Sequence, residues 1–334
     1  MTMPLVTVGI PTYNRAHLIG RALESLLAQK YGNWEAVIVD DGSVDDTTRV
    51  LSAYQDERIR VIAHEGNKGI TSARNTVLEN ACGEWVTYLS SDDEFVPHTL
   101  SAMMAIPLQR DDAVNYVLAN ALDVEKGESC IRGVSEGHLD ATTQLNGTAL
   151  YLARRDAIGA DRFIEGLNTF ESEFHLRVMP RMRRYFIDQV LYLYHTEAED
   201  RVTLSYERGT NAKTYYEQWA LVFDTNPEYL VRRHEAGIGN LFPYVIGLFR
   251  ANGDEYRANA ALNLAATHGF ETSVADAAPT PVVERTKRAI VRVMRALHLK
   301  PAAPVSESRP VVPVDEAGRS RLPGETDQQS RHDE

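Results

Sequence analysis

The sequence predicts an α/β protein: a mainly parallel, Rossmann-like sheet flanked by helices, followed by an all-helical appendage and a polar tail. Three observations carry that expectation. Short apolar runs alternate with helix-periodic segments of about ten residues through the first hundred positions, the pattern of successive βαβ units. Polar turns rich in Asp, Asn, Gly and Ser follow those apolar runs. Beyond Ser205, amphipathic helical spacing takes over.

Taken in order, residues 5–10 (LVTVGI) read as a buried strand. Leu18, Ile19, Ala22, Leu23, Leu26 and Leu27 then recur at helical spacing, with Gly32 soon after the helix end. Residues 36–39 form a second strand and 45–54 a helix with acids in its first turn. Residues 59–63, 71–81 and 85–89 read as strand, helix and strand. Right-handed crossovers place the ends of these strands on one edge of the sheet, so the turns after them should converge on one cleft. The pattern is less regular from about Pro107 to Ser205, with strands over 115–122, 147–152 and 186–195 and a helix over 170–179. Helices follow over 212–223, 241–251 and 255–268, without a fixed repeat period.

The expected division is a catalytic domain over 1–205, with a nucleotide-binding half (1–105) and an acceptor half (106–205). A helical module (206–275) suited to acceptor binding or self-association follows, then a basic amphipathic helix (276–300) and a disordered tail (301–334). The basic stretch 282–300 either packs on the helical module or lies on an anionic membrane surface.

Composition narrows the function. A net charge of −12 argues against nucleic-acid binding, which needs a basic footprint. Cys82 and Cys130 form no disulfide framework or metal-spaced motif. The start of the chain lacks the features of a secretion signal, and no stretch approaches the ~20 apolar residues that span a bilayer. The expected location is cytoplasmic, with peripheral contact at the inner face of the membrane if 282–300 binds lipid.

Four polar turns carry the chemistry: Ile10-Pro11-Thr12-Tyr13-Asn14-Arg15, Val39-Asp40-Asp41-Gly42-Ser43, Asn67-Lys68-Gly69 leading to Ala73-Arg74-Asn75, and Leu89-Ser90-Ser91-Asp92-Asp93. Ligands of open α/β sheets bind outside the carboxyl ends of the strands. Carboxylates there can accept hydrogen bonds from a base and a ribose. This ordered set resembles the family 2 glycosyltransferases of the GT-A fold. The resemblance covers about 60% of the chain, by rough count, and is most specific before Pro97.

What the resemblance implies is an inverting, metal-dependent transfer of a sugar from a nucleotide-diphosphate donor to a hydroxyl acceptor. Pro11, Thr12 and Tyr13 would line the base pocket, Asp41 would contact the base, and Asp40 would support its turn. Arg74 suits the diphosphate; Asn75 reads as a structural hydrogen bonder. Ser90 stands where the family usually has an acid, and with Ser91 it could still bond the ribose. Asp92 is the expected ligand of Mg2+ or Mn2+, with Asp93 a second ligand or an orienting group. Aligning on Arg177 puts Phe170 at the family's Glu and Glu171 at its Asp, making Glu171 the expected general base and Glu173 the fallback. Tyr192-Leu193-Tyr194-His195 resembles the family's Tyr-Arg-any-His element, and His195 would join the metal or touch the diphosphate.

The implied partners are a nucleotide-sugar donor, most commonly a UDP-sugar, and a saccharide or glycolipid acceptor; a homo-oligomer is left open. Two alternatives stand beside this reading. One is a non-catalytic nucleotide-sugar-binding protein, motivated by Ser90, Phe170 and Leu193. The other is a sugar-1-phosphate nucleotidyltransferase, which would want a glycine-rich basic loop after the first strand.

Overall fold

The structure, a computed structural model, describes residues 3–110, 114–140, 143, 145, 147–168, 171–197, 212–235, 240–270 and 272. The expected basic helix over 282–300 and the tail over 301–334 lie outside the described residues, as does Phe170.

The first half follows the expected alternation: β1 (Val6–Thr12), α1 (Ile19–Leu27), β2 (Trp34–Asp40), α2 (Thr47–Ser52), β3 (Ile59–Ala63), α3 (Ile70–Asn80) and β4 (Trp85–Tyr88). Then come β5 (Glu94–Phe95), α4 (Thr99–Gln109), β6 (Tyr116–Asp123), β7 (Glu128–Ser129), β8 (Gly137–Leu139), β9 (Ala149–Arg154), α5 (Arg155–Ile158), α6 (Glu171–Val178) and β10 (Arg184–Tyr194). Four helices close the described chain: α7 (Ala212–Thr225), α8 (Glu228–Glu235), α9 (Phe242–Ala251) and α10 (Glu255–Thr267).

The described strands form one mixed sheet in the order β3-β2-β1-β4-β9-β6-β10-β5, with β7 on β6 and β8 on β10. The β3-β2-β1-β4 half is parallel throughout. Strand β9 then inserts antiparallel between β4 and β6, while β6 and β10 are again parallel to each other. Two reversals restore the original direction, so β6 and β10 run parallel to β1. Their carboxyl ends therefore share one edge with those of β1 to β4, which builds the site.

The centre of the sheet is buried on both faces, while the edge strand β3 is partly exposed. On one face Val6, Val8 and Ile10 of β1 pack with Ile19, Ala22, Leu23 and Leu26 of α1. That i, i+3, i+4, i+7 set is the face the sequence predicts for this helix. On the other face Val37, Val39, Val86 and Tyr88 meet Ala73, Val77 and Leu78 of α3. Gly9 permits this close approach: a Cβ there would lie 2.5 Å from Val77 Cγ1 and 2.8 Å from the Tyr88 ring. Helix α3 also buries Thr71, Ser72, Arg74 and Asn75. A helix that buries polar residues in its first two turns is serving something other than a core.

Helix α4 falls between the strand expected to end at residue 89 and the one expected to begin at 115, where the sequence predicts no element. Leu100, Met103 and Met104 are buried at helical spacing, and Pro107 falls near the end of the helix. Helix α8 was likewise unforeseen, because only eight residues, half of them charged, carry a short apolar cluster at Tyr229-Leu230-Val231. Strands of two or three residues, such as β5, β7 and β8, are too short for periodicity to register.

Helices α7 to α10 surround a core of their own, including Trp219, Tyr229, Phe242, Ile246 and Phe249. That core also takes in Leu167, with Ile164 and Leu176 packed against it. The helices are thus tied to the segment that carries α6.

Candidate active site

The site is assembled turn by turn along the shared sheet edge. After β1, Asn14 takes a left-handed conformation (φ 53°), and its N–H donates to Ser43 Oγ at 2.8 Å while its Oδ1 accepts from Val44 N–H at 2.9 Å. The first two turns are thereby fastened together. Pro11 and Thr12 end β1; the Thr12 hydroxyl is buried and has no hydrogen-bond partner among the described residues. Tyr13 beside it is 38% exposed.

Asp40 and Asp41 divide their work. Asp40 supports its own turn, accepting from Ser43 N–H and Thr48 Oγ1, each at 2.9 Å. Asp41 reaches instead to the third turn: Oδ1 accepts from Lys68 N–H (3.0 Å) and meets His64 Nδ1 (2.6 Å), and Oδ2 accepts from Gly69 N–H (2.7 Å). Its carboxylate is buried, and these charge-assisted bonds offset the desolvation. Gly42, at φ 76°, allows the approach, since a Cβ there would meet the Gly66 backbone at 2.6 Å. His64 closes the network with Nε2 2.9 Å from Thr76 Oγ1 of α3.

Arg74 projects from α3 and is nearly buried. Its Nη2 pairs with Glu171 Oε1 at 2.8 Å, and its guanidinium lies 5.1 Å from the Tyr88 ring centroid and 5.4 Å from that of Phe163. Its Nε and Nη1 are buried without hydrogen-bond partners among the described residues, as are Tyr151 Oη and Asn168 Oδ1. Burial opposes the charge of Arg74, but Glu171, with smaller contributions from Tyr151 and Tyr88, raises its pKa above the ordinary arginine value. Asn75 makes a reciprocal pair with the Phe163 backbone (2.9 and 2.8 Å), the structural bonding its sequence context suggests.

In the fourth turn Asp92 and Asp93 part company. Asp93 is buried; Oδ2 accepts from Tyr192 Oη at 2.6 Å and Oδ1 from His195 N–H at 2.8 Å. Burial first, and the neighbouring Asp92 second, push its carboxyl up to about 6, while Tyr192, His195 and the Ser90 hydroxyl pull the other way. Both oxygens of Asp93 are thus engaged by groups of the protein itself. Ser90 spends its hydroxyl on Asp93 and its N–H on Tyr192 Oη (3.3 Å), and Ser91 is buried. No hydrogen bond or oppositely charged group engages the Asp92 carboxylate among the described residues; its backbone carbonyl accepts from Arg21 Nη2.

His195 lies at the end of β10, in a charged cluster. Nε2 is 2.8 Å from Glu94 Oε1, and Nδ1 is 3.3 Å from both Arg21 Nη1 and Glu197 Oε2. Glu125, His195 and Glu197 bring ligand atoms within 4.8 Å of one another, a group that differs from the expected set of Asp92, Asp93 and His195. A hydrogen bond with Glu125 first, and the Arg21 guanidinium second, hold Glu197 well below the usual carboxylate range, at about 2. For a divalent cation the donor chemistry fits at Asp92, a hard oxygen donor whose carboxylate has no competing partner among the described residues. His195 would first have to give up Glu94 or Arg21.

Of the two acids proposed for proton abstraction, only Glu171 is accessible, with a side chain 37% exposed. Glu173 is 1% exposed and bound bidentately by Arg177 (Nε 2.9 Å, Nη2 3.1 Å) and by Asn226 Nδ2 at 2.7 Å. Its oxygens are occupied and its side chain is shut off from solvent. Sequence reasoning missed Arg21, His64, Tyr151 and Asn226. His64 follows a parallel strand directly, so its place on the edge could have been read; nothing local marks the other three.

Residues 7–127 match the family model described as Glycosyl transferase family 2. The Escherichia coli UDP-Glc:alpha-D-GlcNAc-diphosphoundecaprenol beta-1,3-glucosyltransferase WfgD is 35% identical over 112 residues, covering 34% of this chain and 44% of that relative. The chain spans about half or less of the length of the first curated relatives it matches. Staphylococcus aureus TarS 1-349 in complex with UDP-GlcNAc aligns with a TM-score of 0.57 at 18% identity, covering 87% of this chain and 91% of that one. The Pyrobaculum calidifontis mannosyltransferase PcManGT in complex with GDP-Man and Mn2+ aligns with a TM-score of 0.51 at 20% identity, covering 89% and 84%. At these identities the structural likeness speaks for the fold.

Proposed function

The chain belongs to the family 2 glycosyltransferases through its domain over residues 7–127, and from that premise we propose that it transfers a sugar from a nucleotide-diphosphate donor to a hydroxyl acceptor with inversion at the anomeric carbon. The observation that carries this reading is unfilled bonding capacity along one sheet edge. The Thr12 hydroxyl, Arg74 Nε and Nη1, and the Tyr151 hydroxyl are buried without hydrogen-bond partners among the described residues. Buried polar groups are costly when unpaired, and a bound donor would satisfy them.

In this mechanism Thr12 and the Tyr13 ring flank the nucleotide, and Arg74 donates to the diphosphate. Asp41, through His64 and the 67–69 turn, fixes the start of α3 from which Arg74 projects. Glu171 takes the proton of the acceptor hydroxyl as that oxygen bonds to the anomeric carbon. The bond from that carbon to the diphosphate oxygen breaks on the opposite side, and its electron pair leaves with the nucleotide. No covalent sugar–enzyme intermediate is needed. Asp92 would hold a Mg2+ or Mn2+ ion, whose contribution when bound is to neutralise charge on the departing diphosphate. Glu171 as base rests on its access and its place beside Arg74.

UDP is the first donor nucleotide to try, because the names of WfgD and of the TarS complex include UDP-sugars. A saccharide on a lipid diphosphate is the acceptor class that the WfgD name suggests. No described helix is long and apolar enough to cross a membrane. We keep residues 282–300 as the candidate membrane-contact surface and residues 206–275 as a distinct helical module.

The test is nucleotide release from UDP-glucose, UDP-GlcNAc and GDP-mannose, with and without saccharide-diphosphate lipid. Acceptor-stimulated release supports transfer. Donor binding without any release would favour a non-catalytic binder. Pyrophosphate release from a nucleoside triphosphate plus sugar 1-phosphate would make it a nucleotidyltransferase.

A further inference from the structure

We infer that Asn226 and Tyr229 of the helical module are positioning residues for transfer, holding α6, and with it Glu171, in register with Arg74. The inference rests on Glu171 being the proposed base.

The carboxylate of Glu173, two residues along the chain from Glu171, is 1% exposed. An ionised carboxylate excluded from water is tolerated only when its lone pairs are filled. Here the filling comes from two sides. Arg177, one turn along α6, binds both oxygens, and is itself anchored to the sheet domain through the Asp161 carboxylate and the Arg162 carbonyl. The module supplies the third donor, Asn226 Nδ2 at 2.7 Å. One residue earlier, Ser172 Oγ lies 2.7 Å from the hydroxyl of Tyr229, and Leu176 on the same helix packs against the module core. Meanwhile Phe174 and Val178 are buried in the sheet-side core. Helix α6 is therefore wedged between two cores and bonded to the module at the two residues that directly follow Glu171.

Asn226 is well fixed for this task. Its N–H donates to the Val222 carbonyl at 2.7 Å, closing the end of α7, and its carbonyl accepts from Tyr229 N–H at 3.0 Å, opening α8. The side chain thus projects from a braced joint between two helices. Tyr229 is buried and its hydroxyl also accepts from Arg233 Nη1 at 3.2 Å. Helix α6 has only eight residues, too few to hold its own geometry without tertiary support. A carboxylate displaced by about 1 Å can lose about a hundredfold in rate. A pair of bonds that fixes the rotation and height of α6 acts on the chemical step more than on donor binding, because Thr12, Asp41 and Asp92 all lie on other elements.

The experiment compares full-length wild type, Asn226→Leu, Tyr229→Phe and the double variant in donor turnover, using whichever of UDP-glucose, UDP-GlcNAc or GDP-mannose gives the fastest nucleotide release. Tyr229→Phe removes only a hydroxyl from the module core, so it retains the fold if Asn226→Leu does not. The expected result is a fall in kcat of about tenfold or more in the double variant, and a few-fold for Tyr229→Phe alone. The KM for donor should rise, and the melting shift induced by UDP should fall, by no more than about twofold. A kcat within twofold of wild type in folded Tyr229→Phe and Asn226→Leu overturns the inference. So does a loss confined to donor KM. Glu171→Gln, assayed alongside, keeps the two claims apart: if it retains full turnover, the base assignment fails, whatever the module variants do.

Discussion

Replacing Glu171 by Gln should abolish transfer yet tighten nucleotide binding. In the structure the proposed base and the proposed diphosphate ligand are paired with each other, Glu171 Oε1 lying 2.8 Å from Arg74 Nη2. An incoming diphosphate must share or take that guanidinium and must approach a like-charged carboxylate. Both penalties disappear when Glu171 becomes neutral. An exposed ion pair contributes up to about 1 kcal/mol, whereas breaking a fully buried one costs about 3–5 kcal/mol. Arg74 is 10% exposed but Glu171 is 37% exposed, so solvent screens the pair and the lower figure applies. About 1 kcal/mol is about fivefold in Kd. Titration calorimetry with UDP and Mn2+ on both proteins measures it. Turnover should fall by about a hundredfold or more, the usual scale for a lost general base. A variant that binds UDP as wild type does, or more weakly, refutes the idea that the two residues compete.

Three further outcomes follow from the geometry. Stability should fall between pH 6.5 and 4 through His175, enclosed by Tyr151, Phe163 and Phe174, whose burial pulls its pKa from 6.5 down to about 4. In that window the unfolded chain takes up a proton that the folded chain refuses, so acidification costs the fold up to about 3 kcal/mol, and none of this is lost above pH 6.5. Urea melts at pH 7 and pH 4.5 on wild type and His175→Phe check it, and an unchanged pH dependence in the variant would contradict the assignment. Gly42→Ala should destabilise by about 2–4 kcal/mol, from the left-handed φ of 76° and the 2.6 Å approach to Gly66; a loss under about 0.5 kcal/mol in denaturant melts would show that the turn relaxes freely. Removing residues 282–300 should abolish flotation with anionic liposomes if that stretch is the membrane contact, and equal flotation of both forms would remove the idea.

The parallel half of the sheet was legible because its strands are short, mostly apolar runs and its first helix carries a clean amphipathic face. That α1 face carries Ile19, Ala22, Leu23 and Leu26. The turns were legible for a related reason: Gly42, Asp40 and Asn14 sit where the backbone demands them. The second half was harder. Strand β9 reverses between two strands that run the other way, and no local pattern reports strand direction. Pairings across long sequence distances were out of reach altogether. Arg21 lies on the first helix yet bonds the Asp92 carbonyl, and Asn226 supports a glutamate 53 positions away. Spacing placed Asp41 on the right edge, but only the structure shows its carboxylate turned to the 67–69 backbone. Burial likewise separates Glu171 from Glu173, which look alike in sequence.

The claim on which the rest depends is that this sheet edge binds a nucleotide diphosphate through Arg74 and Asp92. The most direct test is the melting temperature of wild type and Asp92→Ala with UDP, GDP or dTDP, each in Mn2+, Mg2+ or EDTA. A ligand that binds only the folded state raises the melting point by mass action. The account predicts a rise with one nucleotide that needs the metal and is lost in Asp92→Ala. No rise with any nucleotide, or an equal rise in EDTA and in Asp92→Ala, would contradict it.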